Sequence, residues 1–209
     1  MFKPGKLPER FNEFDTRIKE CSEEYGMPWK LVKAQVWQES AFDPSAVSSC
    51  GARGLLQLMP ETAKDMALGA RGKEQGETNL FDPDINISLG VKYDRWVFDR
   101  FPEIPKEEER LRFMLAAYNG GRGYVNEAIK ISYDCEFGEQ IPPGHKNAKP
   151  GRWQTWCHTS AYLCSPYCKI FNSKTGKYLK PDYRQMLDYV DLIYEKFEFI
   201  KLQTLKVVG

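Results

Sequence analysis

The chain carries QESAFDPSAVSSCGARGLLQLMP at residues 38–60, where an apolar helical segment is followed by polar turn residues, glycines and an amphipathic run. Pro28 can occupy the first turn of a helix that extends to about Glu39, so this glutamate falls in the last turn. An Asp-Pro pair at residues 43–44 breaks that helix. The Ser and Gly content of residues 45–54 then predicts a turn or a short hairpin lining a cleft, with a small β element.

Two effects are expected to favour the protonated form of the Glu39 carboxyl group. Partial burial behind an apolar helix face disfavours the carboxylate, and so does the negative end of the helix dipole, so both raise its pKa. A neutral carboxylic acid can act as a general acid, because it can donate a proton to a leaving group. The alternative is a helix-end glutamate facing water, which is the common case for an isolated Glu.

Apolar residues recur at helical spacing through most of the remaining chain, which predicts a mainly α fold. Asp82 is the expected N-cap of the fourth helix, and a glycine-rich loop is expected just before it. The predicted helices cover residues 7–25, 28–39, 60–68, 82–101, 107–118, 122–131 and 181–199, and the loop covers residues 69–78.

Residues 132–180 differ from the rest of the chain because they hold four of the six cysteines, both histidines and two tryptophans. An unstructured loop of that length is uncommon in a compact domain, so we expect it to be stapled by disulfides or folded as a small subdomain. Free buried thiols are the alternative. A zinc site is disfavoured because the Cys spacing lacks paired C-x-x-C motifs, and no metal or other cofactor is expected.

Length and charge limit the classes of protein that fit. The 209 residues, 42% of them hydrophobic, suffice for one sizeable core, and we expect one domain, residues 1–209, with the cysteine-rich insertion at 132–180 inside it. A formal net charge of +1 indicates neither nucleic acid nor an anionic membrane as partner, although local patches remain open. No run approaches the roughly 20 apolar residues of a membrane helix, so no integral membrane segment is expected.

Several motifs in order resemble the soluble lytic transglycosylase catalytic domain, glycoside hydrolase family 23, of the lysozyme-like superfamily. The resemblance rests on Glu39-Ser40, on GLLQLMP at residues 54–60 and on AYNGG at residues 117–121. It covers about residues 28–131 and the final helix. It implies a mainly α (α+β lysozyme-like) fold and non-hydrolytic cleavage of the β-1,4 bond between MurNAc and GlcNAc in peptidoglycan, which leaves 1,6-anhydroMurNAc ends.

The resemblance also implies roles for individual residues. Glu39 would be the catalytic acid and then the base. A hydroxyl at Ser48 would orient the N-acetyl group or the 6-hydroxyl, Tyr118 would contact the N-acetyl group, and Tyr189 would orient the Glu39 carboxylate, although Gln185-Met186 departs from the family's usual Glu-Thr upstream of it. The expected substrate-binding residues are Ser48, Gln57, Met59, Tyr118, Asn119 and Tyr189.

No second carboxylate stands at a position that the family pattern marks as catalytic, and Asp43 is expected to form a turn. The resemblance therefore implies assistance by the substrate's own acetamido group rather than a pair of carboxylates. Two alternatives stay open. In a hydrolase similar to goose-type lysozyme, water would replace the 6-hydroxyl, and in a non-catalytic glycan-binding or assembly module the cleft would persist without turnover.

The implied partner is the glycan strand of peptidoglycan, with no role for nucleic acid. A monomer is expected, and the insertion at 132–180 is expected to offer a surface to a protein partner. The even number of cysteines and the resemblance together predict a periplasmic or extracellular location facing the cell wall. A phage-associated protein would show the same sequence features.

Overall fold

The computed structural model describes residues 4, 6–68, 78–138 and 148–206, and this part of the chain is mainly helical, as predicted. Its one regular sheet is an antiparallel hairpin of two short strands, β1 and β2, paired through Phe171 and Tyr178. Among the described residues, no helix is both long enough and apolar enough to cross a membrane. The elements are α1 (Asp15–Tyr25), α2 (Trp29–Ser40), α3 (Pro60–Ala67), α4 (Pro83–Phe98), α5 (Glu107–Gly120), α6 (Arg122–Phe137), α7 (Trp156–Thr159), β1 (Ile170–Asn172), β2 (Lys177–Leu179) and α8 (Tyr183–Lys206).

Most helix boundaries agree with the sequence patterns to within a few residues. Asp82 is the N-cap of α4, as predicted, because its Oδ1 accepts hydrogen bonds from the backbone N–H groups of Asp84 and Ile85. The first helix begins later than predicted, since residues 9–14 form turns instead of a helix. Helices α6 and α8 extend beyond their predicted ends. The predicted loop at residues 69–78 lies outside the described residues, apart from its last residue.

The chain divides into two compact units, Met1–Arg95 with Asp191–Gly209, and Trp96–Val190. In the first unit α1 packs on α2, and an aromatic cluster fills the core beside them. The Phe11 ring meets the Trp37 and Phe42 rings at centroid distances of 5.2 and 5.6 Å, and Trp37 meets Phe199 at 5.9 Å. These edge-on contacts bury the apolar face of α2. The expected single domain stays a prediction.

In the second unit the described residues of the predicted cysteine-rich insertion, 132–138 and 148–180, are folded. Trp153 is 1% exposed and meets the Tyr133 ring at 5.4 Å, while Trp156 meets Phe113 at 5.5 Å. The Glu136 carboxylate accepts hydrogen bonds from the backbone N–H of Trp153 and of its neighbour in the chain. Buried aromatic rings and hydrogen bonds therefore order this segment, which fits the small-subdomain alternative.

The disulfides expected in the insertion are absent, because all six cysteines are free in the structure. Cys21 and Cys168 are buried, and the other four are exposed. Trp153 and Trp156 instead pack this segment against Tyr133 of α6 and Phe113 of α5. The disulfide expectation is corrected accordingly.

The predicted β element at residues 45–54 is present only as isolated bridges, which join Arg53 to Val47 and to Leu58. The regular strands lie in the insertion instead. Gly54, with φ of 75°, turns the chain sharply next to Arg53, and this turn leaves no length for a regular strand.

Candidate active site

Glu39 lies in the last turn of α2, at the point where the helix leaves the core. The seven residues from Leu31 to Trp37 are all buried, whereas Gln38, Glu39 and Ser40 are partly exposed. Because the middle turns of α2 are buried and packed, the backbone at its partly exposed end is held in a fixed position. This is the position predicted for Glu39.

The chain after Glu39 adopts an unusual backbone conformation. Ala41 and Phe42 both have positive φ, 50° and 66°, although neither is glycine. Each such residue costs about 1–2 kcal/mol and persists only where the surroundings over-determine it. Phe42 is 1% exposed and packs against Phe11, and Ser40 Oγ lies 2.9 Å from the Leu55 carbonyl oxygen. Burial and this hydrogen bond therefore hold the strained turn beside Glu39.

The side chain of Asn86, in α4, holds the loop that follows through three hydrogen bonds. Asn86 is fully buried, and its Nδ2 donates to the carbonyl oxygens of Arg53 and Leu80, both at 2.9 Å. Its Oδ1 accepts from the Leu56 N–H at 2.8 Å. The chain approaches so closely that a Cβ added to Gly54 would lie 2.2 Å from the Leu80 oxygen. These contacts give Asn86 a structural role.

Two predicted ligand-binding residues of this loop, Gln57 and Ser48, differ in the hydrogen-bonding groups that they have left for a ligand. Both amide hydrogens of Gln57 are used within the loop, since Nε2 donates to the Gly54 and Ala46 carbonyl oxygens at 2.9 and 3.1 Å. Only its Oε1 is left as an acceptor for a ligand. Ser48 Oγ accepts from the Ala52 N–H at 3.0 Å, which leaves the hydroxyl proton for another acceptor.

Met59 is the residue before α3, and its side chain is 38% exposed. Its thioether is thus available to an apolar surface of a ligand. Asp43 forms a turn, as predicted, because its Oδ1 accepts from the backbone N–H and the hydroxyl of Ser45 at 2.9 and 2.6 Å. These hydrogen bonds from Ser45 lower the pKa of Asp43, so that its carboxylate is ionised at neutral pH.

Asp94 is a second carboxyl group of the first unit that no sequence motif indicated. It is fully buried, and its Oδ1 accepts a hydrogen bond from Nε2 of the equally buried Gln35 at 3.1 Å. Burial raises the pKa of Asp94 to about 8, a rise that the Gln35 hydrogen bond opposes and the charge of Glu39 increases. Asp94 is therefore protonated at neutral pH. The remaining oxygens, Asp94 Oδ2 and Gln35 Oε1, have no hydrogen-bond partner among the residues described.

Gln35 forms a hydrogen bond with this buried acid and lies on the same helix as Glu39, the candidate catalytic residue. Gln35 and Glu39 are four positions apart on α2 and so share a helix face. The only sequence signal was the presence of single polar residues, Gln35 and Asp94, in otherwise apolar helical patterns. Such a pattern does not reveal that the two residues meet.

Lys196 of α8 is another polar residue near the end of α2 that the sequence did not single out. Its Nζ donates a hydrogen bond to Gln38 Oε1 and lies 5.6 Å from the centre of the Trp37 ring. The side chain is 8% exposed, and burial lowers the pKa of Lys196. A positive charge is thus held beside the residue that precedes Glu39.

Three further predicted residues lie in the second unit. Tyr118 and Asn119 are partly exposed in the last turn of α5, and Tyr189 is 5% exposed on α8. The α5 end and α8 come close together, since a Cβ added to Gly120 would lie 2.3 Å from Met186 Sδ. The predicted contact of Tyr189 with the Glu39 carboxylate stays a prediction.

The structure thus groups the predicted residues in two sets, with Glu39, Ser48, Gln57 and Met59 in the first unit and the remaining three in the second. In the described part of the chain, no group of three or more His, Cys, Asp or Glu side chains is placed to hold a metal ion. The chemistry available around Glu39 is proton transfer by a carboxyl group, with hydroxyl and amide groups to position a polar ligand.

Comparison with known sequences gives a family match and several relatives. A family model described as the transglycosylase SLT domain matches residues 16–141. The chain is 34% identical over 150 residues to membrane-bound lytic murein transglycosylase F of Desulfosudis oleivorans, covering 72% of this chain and 29% of that protein. A protein of the same name from Stutzerimonas stutzeri is 36% identical over 126 residues, 60% of this chain and 24% of that protein. The chain therefore spans less than a third of the length of these relatives.

Two solved structures resemble the chain in fold. An inactive mutant of lytic transglycosylase Slt from Pseudomonas aeruginosa superposes with a TM-score of 0.54 at 25% identity, over 92% of this chain and 26% of that one. The 70 kDa soluble lytic transglycosylase of Escherichia coli gives a TM-score of 0.60 at 21% identity, over 95% and 26%. The second likeness concerns the fold alone, and it agrees with the predicted mainly α, lysozyme-like class.

Proposed function

Because the chain belongs to the transglycosylase SLT domain family, we propose that it is a peptidoglycan lytic transglycosylase. It cleaves the β-1,4 bond between MurNAc and GlcNAc without water and leaves 1,6-anhydroMurNAc ends. The curated relatives named lytic murein transglycosylase support this choice of substrate. Glu39 is the residue proposed to carry the chemistry.

The observation that carries the proposal is the contrast between two carboxyl groups of the first unit. Glu39 is partly exposed at the end of a buried helix, whereas Asp94 is fully buried and protonated at neutral pH. A standard glycosidase needs a second carboxylate, ionised and within reach of the sugar or of water. Asp94 meets neither condition. With Asp94 excluded as the second carboxylate, Glu39 fits a reaction in which a single residue acts first as acid and then as base.

In the proposed reaction the Glu39 carboxyl group donates its proton to the glycosidic oxygen while the bond to the MurNAc C1 atom breaks. The acetamido oxygen of the same sugar stabilises the positive charge that develops at C1. The Glu39 carboxylate then accepts the proton of the C6 hydroxyl, whose oxygen bonds to C1 and closes the anhydro ring. Glu39 ends protonated, as it began, and neither water nor a metal ion is consumed.

The loop at residues 43–59 is proposed to position the sugar for these steps. Ser48 has a hydroxyl proton to donate to the N-acetyl group or the 6-hydroxyl, Gln57 offers Oε1 as an acceptor, and Met59 offers an apolar surface to a sugar ring. The loop is anchored by buried hydrogen bonds to Asn86, so these groups are pre-organised before the ligand arrives. Binding roles for Tyr118, Asn119 and Tyr189 are proposed on the motif resemblance.

The alternative reaction is hydrolysis, and a substitution of Asp43 tests it. Its carboxylate is ionised at neutral pH and lies four residues after Glu39. However, Oδ1 already accepts two hydrogen bonds from Ser45, so this oxygen is occupied in forming the turn. A hydrolase that used Asp43 to activate water would lose activity in Asp43→Asn, whereas a transglycosylase would keep most of it.

The test is mass spectrometry of the fragments released from purified peptidoglycan by the wild-type protein, Glu39→Gln and Asp43→Asn. We expect anhydro-muramoyl ends, lighter than reducing ends by one water, from the wild type and from Asp43→Asn, and no release by Glu39→Gln. Reducing ends that require Glu39 would identify a lysozyme. No release by the wild type, with retained binding to peptidoglycan, would indicate a non-catalytic glycan-binding module.

The proposed substrate also implies a location for the protein. Peptidoglycan lies outside the cytoplasmic membrane, so the proposed location is the periplasm or the outer side of the cell, facing the wall. A monomer suffices for a reaction that uses one carboxyl group. A protein partner bound through residues 132–180 stays a prediction.

A further inference from the structure

The hairpin of β1 and β2 places two aromatic rings on one face and uses its other face for packing. Phe171 pairs with Tyr178 across the strands, and their ring centroids lie 5.3 Å apart. Side chains alternate between the two faces of a strand, so Ile170 points the opposite way. Ile170 packs on α6, because a Cβ added to Gly123 would lie 3.4 Å from its Cγ2.

The aromatic face is left in water. Phe171 is 58% exposed and Tyr178 is 62% exposed, although both belong to a regular strand pair. An apolar pair of this size that the fold leaves uncovered is typical of a surface that binds something. Neither ring belongs to the residues proposed for catalysis or for binding around Glu39.

Lysines extend the same face at both ends. Lys169 precedes Phe171 by two positions and Lys180 follows Tyr178 by two, each one residue outside its strand, where continued alternation would place it on the aromatic face. Lys169 Nζ lies 4.8 Å from the centre of the Tyr178 ring. Neither lysine forms an ion pair with a described residue. The surface formed by Lys169, Phe171, Tyr178 and Lys180 is called the Phe171–Tyr178 face below.

The surrounding sequence strengthens this positive charge. Residues 140–181 contain seven Lys or Arg and no Asp or Glu, although the whole chain has a net charge of only +1. A locally basic surface attracts an anionic polymer more strongly than a neutral one. The ligand should therefore combine apolar faces with negative charges.

We propose that the Phe171–Tyr178 face is a second binding site for peptidoglycan, on which a glycan strand places sugar rings against the two aromatic rings and stem-peptide carboxylates against Lys169 and Lys180. The identity of this polymer rests on the proposed function. The C–H groups on one side of a sugar ring give the apolar contact, and the lysines give the charge complementarity.

The shape of the hairpin favours a polymer strand over a lipid surface. A loop that enters a bilayer buries apolar side chains, whereas the connection between the strands, residues 173–176, is Ser-Lys-Thr-Gly. The aromatic rings lie along the face of the hairpin and not at its tip. A strand that lies across the face contacts both rings and both lysines together.

The experiment measures how tightly the protein sediments with purified peptidoglycan sacculi. Every protein carries Glu39→Gln, so that the polymer is not digested. We expect Phe171→Ser with Tyr178→Ser to weaken binding roughly tenfold, equivalent to about 1.4 kcal/mol. Lys169→Gln with Lys180→Gln should weaken binding several-fold at low salt and reduce its salt dependence. Lys177→Gln, which changes a lysine of the opposite face, is the matched control and should bind as the parent does.

Two further ligands separate the sources of binding. Chitin carries a related glycan without carboxylates, so it should bind more weakly than sacculi and respond to the aromatic changes alone. Mixed phosphatidylglycerol and phosphatidylethanolamine vesicles carry negative charge without glycan and should not bind. Circular dichroism confirms that each variant is folded. The proposal is overturned if both double variants, correctly folded, sediment with sacculi as the parent does, or if the face is needed only for vesicles.

The proposed function and this second site fail separately. If the wild type releases no fragments while sedimentation still depends on the Phe171–Tyr178 face, the catalytic proposal is lost and the binding site stands. If fragments with anhydro ends are released but sedimentation ignores the face, the second site is lost and the catalytic proposal stands.

Discussion

Residues 39–59, a loop with isolated β-bridges, and residues 167–180, which form the β1–β2 hairpin, both contain many polar residues, yet they use them in opposite ways. In the first stretch, polar groups turn inward, to one another and to the buried Asn86. In the second, strand alternation sends Lys169, Phe171 and Tyr178 outward into water. The first stretch therefore spends its polar groups on internal hydrogen bonds that fix its conformation. The second leaves its side chains exposed, so that they are available to a ligand.

The largest expected effect on stability comes from replacing one glycine with alanine in each stretch. Gly54→Ala places a Cβ 2.2 Å from the Leu80 oxygen at a residue with φ of 75°, so strain and overlap together should cost about 4 kcal/mol or more in free energy of unfolding. Gly176→Ala, where φ is 65° and no atom lies within 4 Å, should cost about 1 kcal/mol. Urea unfolding measures both. Equal losses would show that the first loop is not tightly packed.

The two asparagines that shape these stretches give the next comparison. Asn86→Ala leaves two carbonyl oxygens and one N–H unpaired in the core and should cost about 3 kcal/mol. Asn172→Ala removes hydrogen bonds from the N–H groups of Lys174 and Thr175, which water can replace, and should cost about 0.5–1 kcal/mol. Thermal unfolding at one pH compares the two. The contrast fails if Asn172→Ala is as damaging as Asn86→Ala.

Stability should also depend on pH through the buried acid. The pKa of Asp94 rises from 3.8 to about 8 on folding, so the folded protein keeps a proton that the unfolded chain releases. This stabilisation is complete below about pH 4 and is lost by up to about 1.4 kcal/mol per pH unit as the pH rises towards 8. Asp94→Asn cannot ionise, so its melting temperature should fall less than that of the wild type between pH 5 and 8, a window that lies between the unfolded and folded pKa values of Asp94.

Asp43→Asn is the matched control for this pH dependence. Hydrogen bonds from Ser45 lower the pKa of Asp43, so its contribution is present above the unfolded pKa and is lost as the pH falls through the folded value. The variant should therefore lack this contribution at neutral pH, and its stability should change with pH differently from the wild type's only in acid. If Asp94→Asn keeps the full loss of stability between pH 5 and 8, Asp94 is not the group responsible.

The smallest effect is expected from a reducing agent. All six cysteines are free, so reduction should change the melting temperature by less than about 1 °C, whereas loss of a native disulfide typically costs 2–5 kcal/mol. Burial raises the pKa of the Cys168 thiol to about 11, so this cysteine should react with a thiol reagent more slowly than the exposed Cys164. A clear drop in melting temperature on reduction would restore the disulfide interpretation of the insertion.

Much of the helical framework could be predicted because it depends on local patterns. Apolar spacing located every long helix, and Asp82 marked the start of α4 through its own side-chain hydrogen bonds. Glu39 was placed in the last turn of α2 for the same reason. The Asp94–Gln35 pair was missed because the two residues are 59 positions apart and neither helix pattern reports which face meets the other.

The disulfide expectation for the insertion was wrong for a related reason, whereas the small-subdomain alternative fits the structure. Cysteine count favoured disulfides, but the structure holds this segment with Trp153 and Trp156, whose partners Tyr133 and Phe113 come from other elements. Composition shows that such residues are present, yet it does not show which of them meet. A local pattern therefore cannot distinguish a covalently stapled loop from one with its own aromatic core.

The sequence by itself determined the mainly α fold, the family resemblance and the position of Glu39 at a helix end, because these depend on periodicity, turn residues and motif order along one segment. Only the tertiary structure decided that Asp94 is buried and protonated, that Gln57 uses both amide hydrogens within its loop, and that Phe171 and Tyr178 face water. Charge state, hydrogen-bond partners and exposure are set by neighbours that the fold brings together from distant parts of the chain.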